Sequence, residues 1–584
     1  MSERETGETE TAPYSRDYWD LVFEQLSRRR LFKLAVSVLA LLYASAIYAP
    51  LIANDRPYVL AAIDYREYRT ALRTLRPVAA SLGGLVERGR EDYLAARPAD
   101  AALGWEGALA AEADAARLHV ERMKRYLSGG TEQLDLFRTK VGLAVDAAVA
   151  GRVQEAEALV EEAKDLAKAL ATDYAALDPR KPEDGGRELT PVRSYPLLEA
   201  VTGAEVFFML LWACLLAWPL WNGYLNRRLL RGDRDRIRAW RRRKLLAVLG
   251  LSLSGALLWG RFVGGEAAFD VSPFKRSLTG GDIVAQRVLF PPLAFGFAQT
   301  SAGEVFRPPT WRSMSEKSAE GHYVRGARVP QPDPVTGIVP AGTPVEELFA
   351  EPARNSGWRH PLGTDSVGRD LLVRMLWGGR VSLSVGLVSA ALLVLIGTLV
   401  GACAGYFGGW VDLALSRLIE IVLCFPAFFL ILMVVAFTDP NVVPPIIAIV
   451  VVIALVRWTS VARLTRAEFL RMREQEFTLA ARAMGIPAAR TIFRHMLPNA
   501  LGPILVAGAF SVASGILTES ALSFLGFGVK HPIPSWGSLV TESSSAEHWW
   551  IQLFPGFAIF VTVVCYNLVG DAVRDAVDPK LRVL

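Results

Sequence analysis

The stretch Phe477-Thr-Leu-Ala-Ala-Arg-Ala-Met-Gly485-Ile-Pro487-Ala-Ala-Arg-Thr-Ile-Phe-Arg-His495-Met-Leu-Pro498-Asn499 reads as two short helices joined at an angle. Ala480, Ala481 and Ala483, with Arg482 among them, give the first helix a small face. Gly485 takes φ > 0 freely and is expected to end it. Pro487 suits the first turn of a second helix, which carries Arg490, Arg494 and His495. Pro498 is expected to stop that helix. The stretch is basic, and long apolar runs lie on both sides of it. Such a pair of helices on a membrane surface makes a docking knob; the alternative is an ordinary basic loop between two spans.

Composition puts that knob on a membrane protein. Of 584 residues, 52% are hydrophobic, and the mean hydropathy is +0.27. The apolar residues are clumped in runs near bilayer-spanning length. Candidate spans fall at about 31–52, 205–223, 245–263, 381–404, 414–437, 445–462, 500–518 and 553–570. The expected fold is an all-α polytopic bundle of about eight transmembrane helices. The 4 cysteines, Cys214, Cys403, Cys424 and Cys565, all lie in apolar runs, which argues against a disulfide framework. About thirty polar residues precede the first apolar run, and no small-residue cleavage site follows, so it reads as a retained span.

Charge orients the chain. Arg28, Arg29, Arg30 and Lys33 flank the first span, so the N-terminus is expected in the cytoplasm. The segment 226–244 carries Arg227, Arg228, Arg231, Arg234, Arg236, Arg238, Arg241, Arg242, Arg243 and Lys244 against only Asp233 and Asp235. Lying between apolar runs, it reads as a cytoplasmic loop and not as a nucleic-acid site. Eight spans also place the arginine-rich loop 463–499 and the C-terminus inside.

The expected organisation has five parts. Residues 1–54 are the cytoplasmic N-terminus and first span; 55–203 are an extracytoplasmic helical insert; 204–263 are two additional spans around the basic loop; 264–380 are an extracytoplasmic Pro-rich segment; 381–584 are the membrane core. In the insert, Leu134, Phe137, Val141, Val145 and Ala148 recur at helical spacing, as do Val153, Ala156, Val160, Ala163 and Leu170. Ser128-Gly-Gly130 and Gly151 punctuate these helices, and Pro182–Gly186 marks a flexible exit. The insert is expected to form a small antiparallel bundle, serving either as a docking or sensing domain or as a spacer. The Pro-rich segment contains Phe290-Pro-Pro292, Arg307-Pro-Pro309 and Val329-Pro-Gln-Pro-Asp-Pro334, which favour extended backbone.

No catalytic constellation, metal cluster or cofactor motif stands out, and His119 has no partner at metal-ligand spacing. Glu420 and Glu519 lie in apolar runs. Buried charge is costly, so they are candidates for pathway or gate contacts; the blander reading has them hold loops at span ends. Before the fourth span stands His360-Pro-Leu-Gly-Thr-Asp-Ser-Val-Gly-Arg-Asp370. Gly363 and Gly368 permit tight turns around Thr364, while Asp365, Arg369 and Asp370 can pair and cap the helix that follows.

His360–Asp370 is similar to the signature before the second span in permeases of dipeptide/oligopeptide/nickel-type ABC importers. Phe477–Asn499 resembles the loop by which such permeases grip their ATPases. Gly405-Tyr-Phe-Gly-Gly-Trp-Val-Asp412 resembles a turn of that family, and Arg417, Glu420 and Phe425-Pro426 follow at family spacing, with Glu420 where Asp is more usual. Glu519–Gly528 and Pro534–Gly537 resemble its last outer loop, Gly570–Pro579 its tail, and Ala49–Asp55 its first span. The resemblance covers roughly 15–58 and 285–584. Two departures stand out: Leu479 occupies a position where Glu is usual, and residues 59–284 are an insertion whose even number of spans keeps the core's orientation.

The resemblance implies a multi-pass inner-membrane permease that pairs with a sister permease and works by alternating access. It implies two ABC ATPase subunits beneath, an extracytoplasmic substrate-binding protein above, and no nucleic acid. The chain has no Gly-x-x-x-x-Gly-Lys-Ser/Thr phosphate loop, so ATP hydrolysis is expected on the partners and the chain is expected not to be an enzyme. Peptides are the expected solute, with nickel chelates, modified peptide antibiotics and sugars left open. The competing classes are a membrane-anchored sensor using the helical insert, and a secondary transporter, which usually shows internal repeats.

Overall fold

The computed structural model describes residues 18–95, 104–175, 177, 189–228, 234–263, 283–300, 305–309, 360–439, 442–529, 531–543 and 545–577. The exit Pro182–Gly186, Arg231 with its neighbours at 229–233, the prolines at Val329–Pro334 and the tail residues Asp578-Pro579 lie outside the described residues.

The chain runs α1 (Tyr18–Arg28), α2 (Arg30–Ile47), β1 (Val59–Asp64), α3 (Tyr65–Ala95), α4 (Trp105–Lys124), α5 (Glu132–Val149), α6 (Val153–Asp173), β2 (Val192–Ser194), α7 (Gly203–Leu216), α8 (Trp218–Arg228), α9 (Arg234–Phe262) and β3 (Ile283–Leu289). It continues through α10 (Leu371–Phe407), α11 (Gly409–Leu423), α12 (Ala427–Phe437), α13 (Pro445–Arg473), α14 (Glu476–Ala483), α15 (Ala488–Phe524), α16 (Trp536–Val540) and α17 (Trp549–Val577). Among the described residues 6 helices are long and apolar enough to cross a membrane, and two bent pairs bring the number to 8. The pairs are α7 with α8, bent by 58°, and α11 with α12, bent by 78°. Each break lies beside a proline, Pro219 or Pro426, which removes a backbone donor. The architecture is that of an all-α polytopic membrane protein.

One sequence expectation fails in the core. Pro498 does not stop the second helix of the knob: a single helix runs from Ala488 to Phe524. A π-helical turn at Thr491–Met496 leads into Pro498. Its wider hydrogen-bond spacing accommodates the missing N–H and the ring without a break.

α10 and α13 pack closely because α10 offers a bare ridge of Gly397, Gly401 and Gly405. A Cβ at Gly397 would lie 2.7 Å from the Trp458 carbonyl oxygen, and one at Gly405 2.8 Å from that of Arg466. In lipid, where burying apolar surface gives little drive, such ridges let dispersion hold helices together. Polar ties close the ends. Arg466 Nη2 donates to Asp412 Oδ2 at 2.7 Å, joining α13 to α11. The Tyr43 and Tyr566 hydroxyls meet at 2.7 Å, joining α2 to α17.

The helices α3 to α6 enclose a separate core of Leu75, Leu82, Leu109, Met123, Phe137 and Leu170. Of the two apolar stripes seen in the sequence, Leu134, Phe137, Val141, Ala148, Ala156, Val160, Ala163 and Leu170 are buried; Val153, at the start of α6, is exposed. Tyr68 Oη donates to the Tyr174 carbonyl at 3.0 Å and ties the first helix of the bundle to the end of the last.

A small antiparallel sheet of order β2-β1-β3 was not legible beforehand. Leu60 pairs with Ser194 on one side and Val288 on the other. The strands are short and far apart in sequence, and a brief apolar run such as Val59–Asp64 has no periodicity that separates strand from helix. The sheet brings the bundle's two ends together. The spans after the bundle pack on α2: Tyr48 Oη donates to the Met209 carbonyl at 2.7 Å. Glu205 completes the capping box of α7 with Thr202 and also pairs with Arg380 of α10 at 2.6 Å.

Candidate functional site

The knob is a helix, a Schellman turn and a second helix. After α14, Gly485 has φ +70°, its N–H donates to the Arg482 carbonyl at 2.9 Å, and Ile486 N–H donates to the Ala481 carbonyl at 3.1 Å. The inner face is anchored. Ala481 and Thr478 are buried, and Thr478 Oγ1 donates to the Met472 carbonyl at 2.8 Å. Arg482 lies over the Tyr406 ring at 4.8 Å and donates to the Tyr406 carbonyl at 3.3 Å, fixing the knob to the end of α10. Ala480, Ala483, Gly485, Pro487 and Pro498 face outward, and His495 is half-buried. The knob exposes apolar and basic side chains: Met484 is 71% and Phe493 54% exposed, and Phe477, Leu479, Arg490 and Arg494 are exposed as well.

At the other end of α10 the helix-start motif folds around buried charge. Asp370 caps α10 through its Oδ1, which accepts from Val373 N–H at 2.8 Å, and its Oδ2 meets His360 Nδ1 at 2.7 Å. Asp365 Oδ1 accepts from the N–H groups of Val367 and Arg369, each at 2.9 Å. Asp365 Oδ2 accepts from Arg369 Nε at 2.7 Å and from Arg374. Glu542 closes the group by pairing with both arginines. Burial alone would push the Asp365 carboxyl up; Arg374 and Arg369 beside it, with the two backbone N–H groups, hold it below the ordinary carboxylate value. Gly363 and Gly368 take φ +82° and +76°, and the Thr364 carbonyl accepts from Trp550 Nε1 at 3.2 Å. The motif thus locks the start of α10 to the start of α17. Arg374 and Glu542, which complete the group, escaped the sequence reading because one lies inside an apolar-looking helix and the other far along the chain.

The two intramembrane acids part company. Glu519 is fully buried in α15, where its carboxylate accepts from Ser382 at 2.9 Å and Ser523 at 2.7 Å. Ser382 Oγ in turn accepts from Trp536 N–H at 3.1 Å, so Glu519 binds α10, α15 and the outer loop together. Glu420 is exposed on α11 and pairs with Arg417.

A cavity of about 440 Å³ lies between α10, the α11–α12 break, α13 and α15. Arg457 of α13 reaches it, with Ser460, Ser511 and Ser514 also in its wall. Arg457 was legible as the lone cation inside the 445–462 run.

Residues 397–583 match the family described as "Binding-protein-dependent transport system inner membrane component". The chain is 40% identical to the dipeptide transport system permease protein DppC of Alkalihalophilus pseudofirmus, over 38% of this chain and 73% of that one. It is 43% identical to the oligopeptide transport system permease protein OppC of Escherichia coli, over 40% of this chain and 76% of that one. A glutathione transport system permease protein, GsiD of Pectobacterium atrosepticum, is 38% identical over 38% of this chain and 73% of its own.

Proposed function

This chain belongs to the family of binding-protein-dependent transport inner-membrane components, and we propose that it is one of two permease chains lining the pathway of a peptide importer. Two ATPases would grip the knob from the cytoplasm, and a binding protein would deliver the solute from outside. ATP hydrolysis belongs to the partners, since the chain carries no phosphate loop.

The observation that carries this reading is continuity. The helix that begins in the knob at Ala488 runs unbroken to Phe524, about 55 Å at the usual helical rise. A push on the knob is therefore delivered along one continuous helix to Glu519 and the outer loop it holds. Gripping relies on shape and apolar burial: fully burying an exposed side chain of this kind is worth about 1.5–3 kcal/mol, and Phe477, Leu479, Met484 and Phe493, already partly covered, would each add a fraction of that. That fits Leu479 where relatives of this type usually have Glu.

The insert is proposed as an accessory module, a platform for the binding protein or another envelope component. β1 and β2 are already paired neighbours, so residues 66–189 can be replaced by a short turn without disturbing the spans. Affinity purification of the full chain should bring down two phosphate-loop ATPases, and the chain lacking 66–189 should bring down as much. ATPases absent from the first preparation would remove the permease reading; absence from the second alone would make the bundle part of the core.

The Arg/Lys asymmetry supports a topology with the termini, 226–244 and 463–499 in the cytoplasm and the insert outside. With the four native cysteines replaced, an impermeant thiol reagent on intact cells should label Gln154→Cys and not Trp240→Cys. The reverse pattern would invert the topology.

A further inference from the structure

Arg457 lies 12 residues beyond Pro445, about 18 Å along α13 from its outer start. Its Nη1 donates to Ser514 Oγ of α15, while its buried Nε has no hydrogen-bond partner. No carboxylate pairs with it among the described residues. A guanidinium held inside a membrane protein without a counter-charge is costly, so its persistence points to a partner that comes and goes. The cavity beside it supplies the space. Its volume, about 440 Å³, falls in the range of small-ligand sites. Its wall is mixed: Leu423, Phe425 and Phe510 line it together with Ser460, Ser511 and Ser514, the last bonded to the cation. The broken span α11–α12 forms one side, and irregular backbone at membrane depth is tolerated where it lines a cavity.

We infer that Arg457 is a transit site for the terminal carboxylate of a peptide, held in the cavity between the α11–α12 break, α13 and α15. The inference rests on the peptide-importer reading. A guanidinium fork fits a carboxylate by two parallel N–H donors, and one of its amines is already engaged by Ser514. The guanidinium donors that Ser514 does not take are what an incoming carboxylate would take. The hydroxyls keep the site wet and the grip weak, as a site that must release its cargo requires. The apolar wall accepts side chains without demanding any one of them.

The test uses the complete transporter in proteoliposomes, with its binding protein pre-loaded with tritiated tri-alanine or with tri-alanine amide, which lacks the carboxylate. Arg457→Gln should lower tri-alanine uptake about tenfold and change amide uptake by less than about twofold. Arg457→Lys should retain most tri-alanine uptake. Ser514→Asp neutralises the guanidinium in place and should depress tri-alanine selectively, which covers the case of an Arg457→Gln chain that does not accumulate. A parent transporter that moves tri-alanine while Arg457→Gln moves both peptides as before, or loses both equally, overturns the inference and leaves Arg457 as a packing residue or a partner for the sister chain. A parent transporter that moves neither peptide, with its ATPases attached, overturns the peptide reading itself.

Discussion

Asp365→Ala should remove about 3–5 kcal/mol from the folded chain, the usual result of deleting one partner from a buried ion group. Asp365 and Arg374 are both fully buried, and Arg369 is nearly so. Without Asp365, two guanidinium groups would share Glu542 alone, and the turn would lose the acceptor of two backbone N–H groups. The start of α10 would come loose from the start of α17. Thermal unfolding in detergent should show the main transition lowered or absent. Asp365→Leu combined with Arg374→Met should recover the part of the loss due to unpaired charge, because a packed apolar pair can replace a buried ionic one, but not the part due to the two backbone N–H groups left without an acceptor. The pH dependence follows from the depressed Asp365 carboxyl. A carboxylate with a lowered folded value contributes stability that is complete above its unfolded value, about 3.9, and is lost as pH falls through the folded value. The parent should therefore be flat with respect to this group near neutrality and weaken only in acid, below about pH 4. Asp365→Ala should lack that acid-sensitive component. Equal acid losses in the two proteins would show that the carboxylate is not the group holding the motif.

What the sequence disclosed and what it hid divide along physical lines. The spans were legible because a bilayer demands long apolar runs, and the Gly485 turn was legible because few residues accept its backbone. The insert's stripes were legible because helical spacing is a local property. Three things were hidden. The sheet depends on pairing between distant short strands. The continuity of α15 depends on a π turn that absorbs Pro498, and no residue type announces one. The buried charge group depends on Glu542 meeting Arg369 and Arg374 across the fold. The ridge of Gly397, Gly401 and Gly405 is readable in the sequence as a repeat of four. Glu519 and Glu420 looked alike in sequence; only burial separates a serine-wrapped structural acid from an exposed one.

Gly485→Val should leave the chain in the membrane, reduce bound ATPase at least about tenfold and bring uptake below about a tenth of the parent rate. The effect of this substitution comes through the backbone. Gly485 has φ +70°, and a Cβ there would meet nothing within 4 Å, so packing does not oppose the substitution. A residue with a Cβ in that conformation is strained by about 1–2 kcal/mol, and a β-branched one by more. The chain relieves the strain by turning φ negative, which breaks the bonds from Gly485 N–H to Arg482 and from Ile486 N–H to Ala481. Both helices are held by buried faces, Thr478 and Ala481 on one and Ile492 and Met496 on the other, so the turn between them is what must change shape. Met484, exposed at that turn, is displaced with it. Insertion survives because none of the membrane core depends on this turn. Two controls separate strain from mere change. Gly485→Asn tolerates the left-handed region and should keep at least about half of the uptake. Ala488→Ser alters the same loop with no demand on the backbone and should be silent. Transport by Gly485→Val at the parent rate, with ATPases bound as before, would falsify the assignment of this loop as the element that couples ATP hydrolysis to the spans.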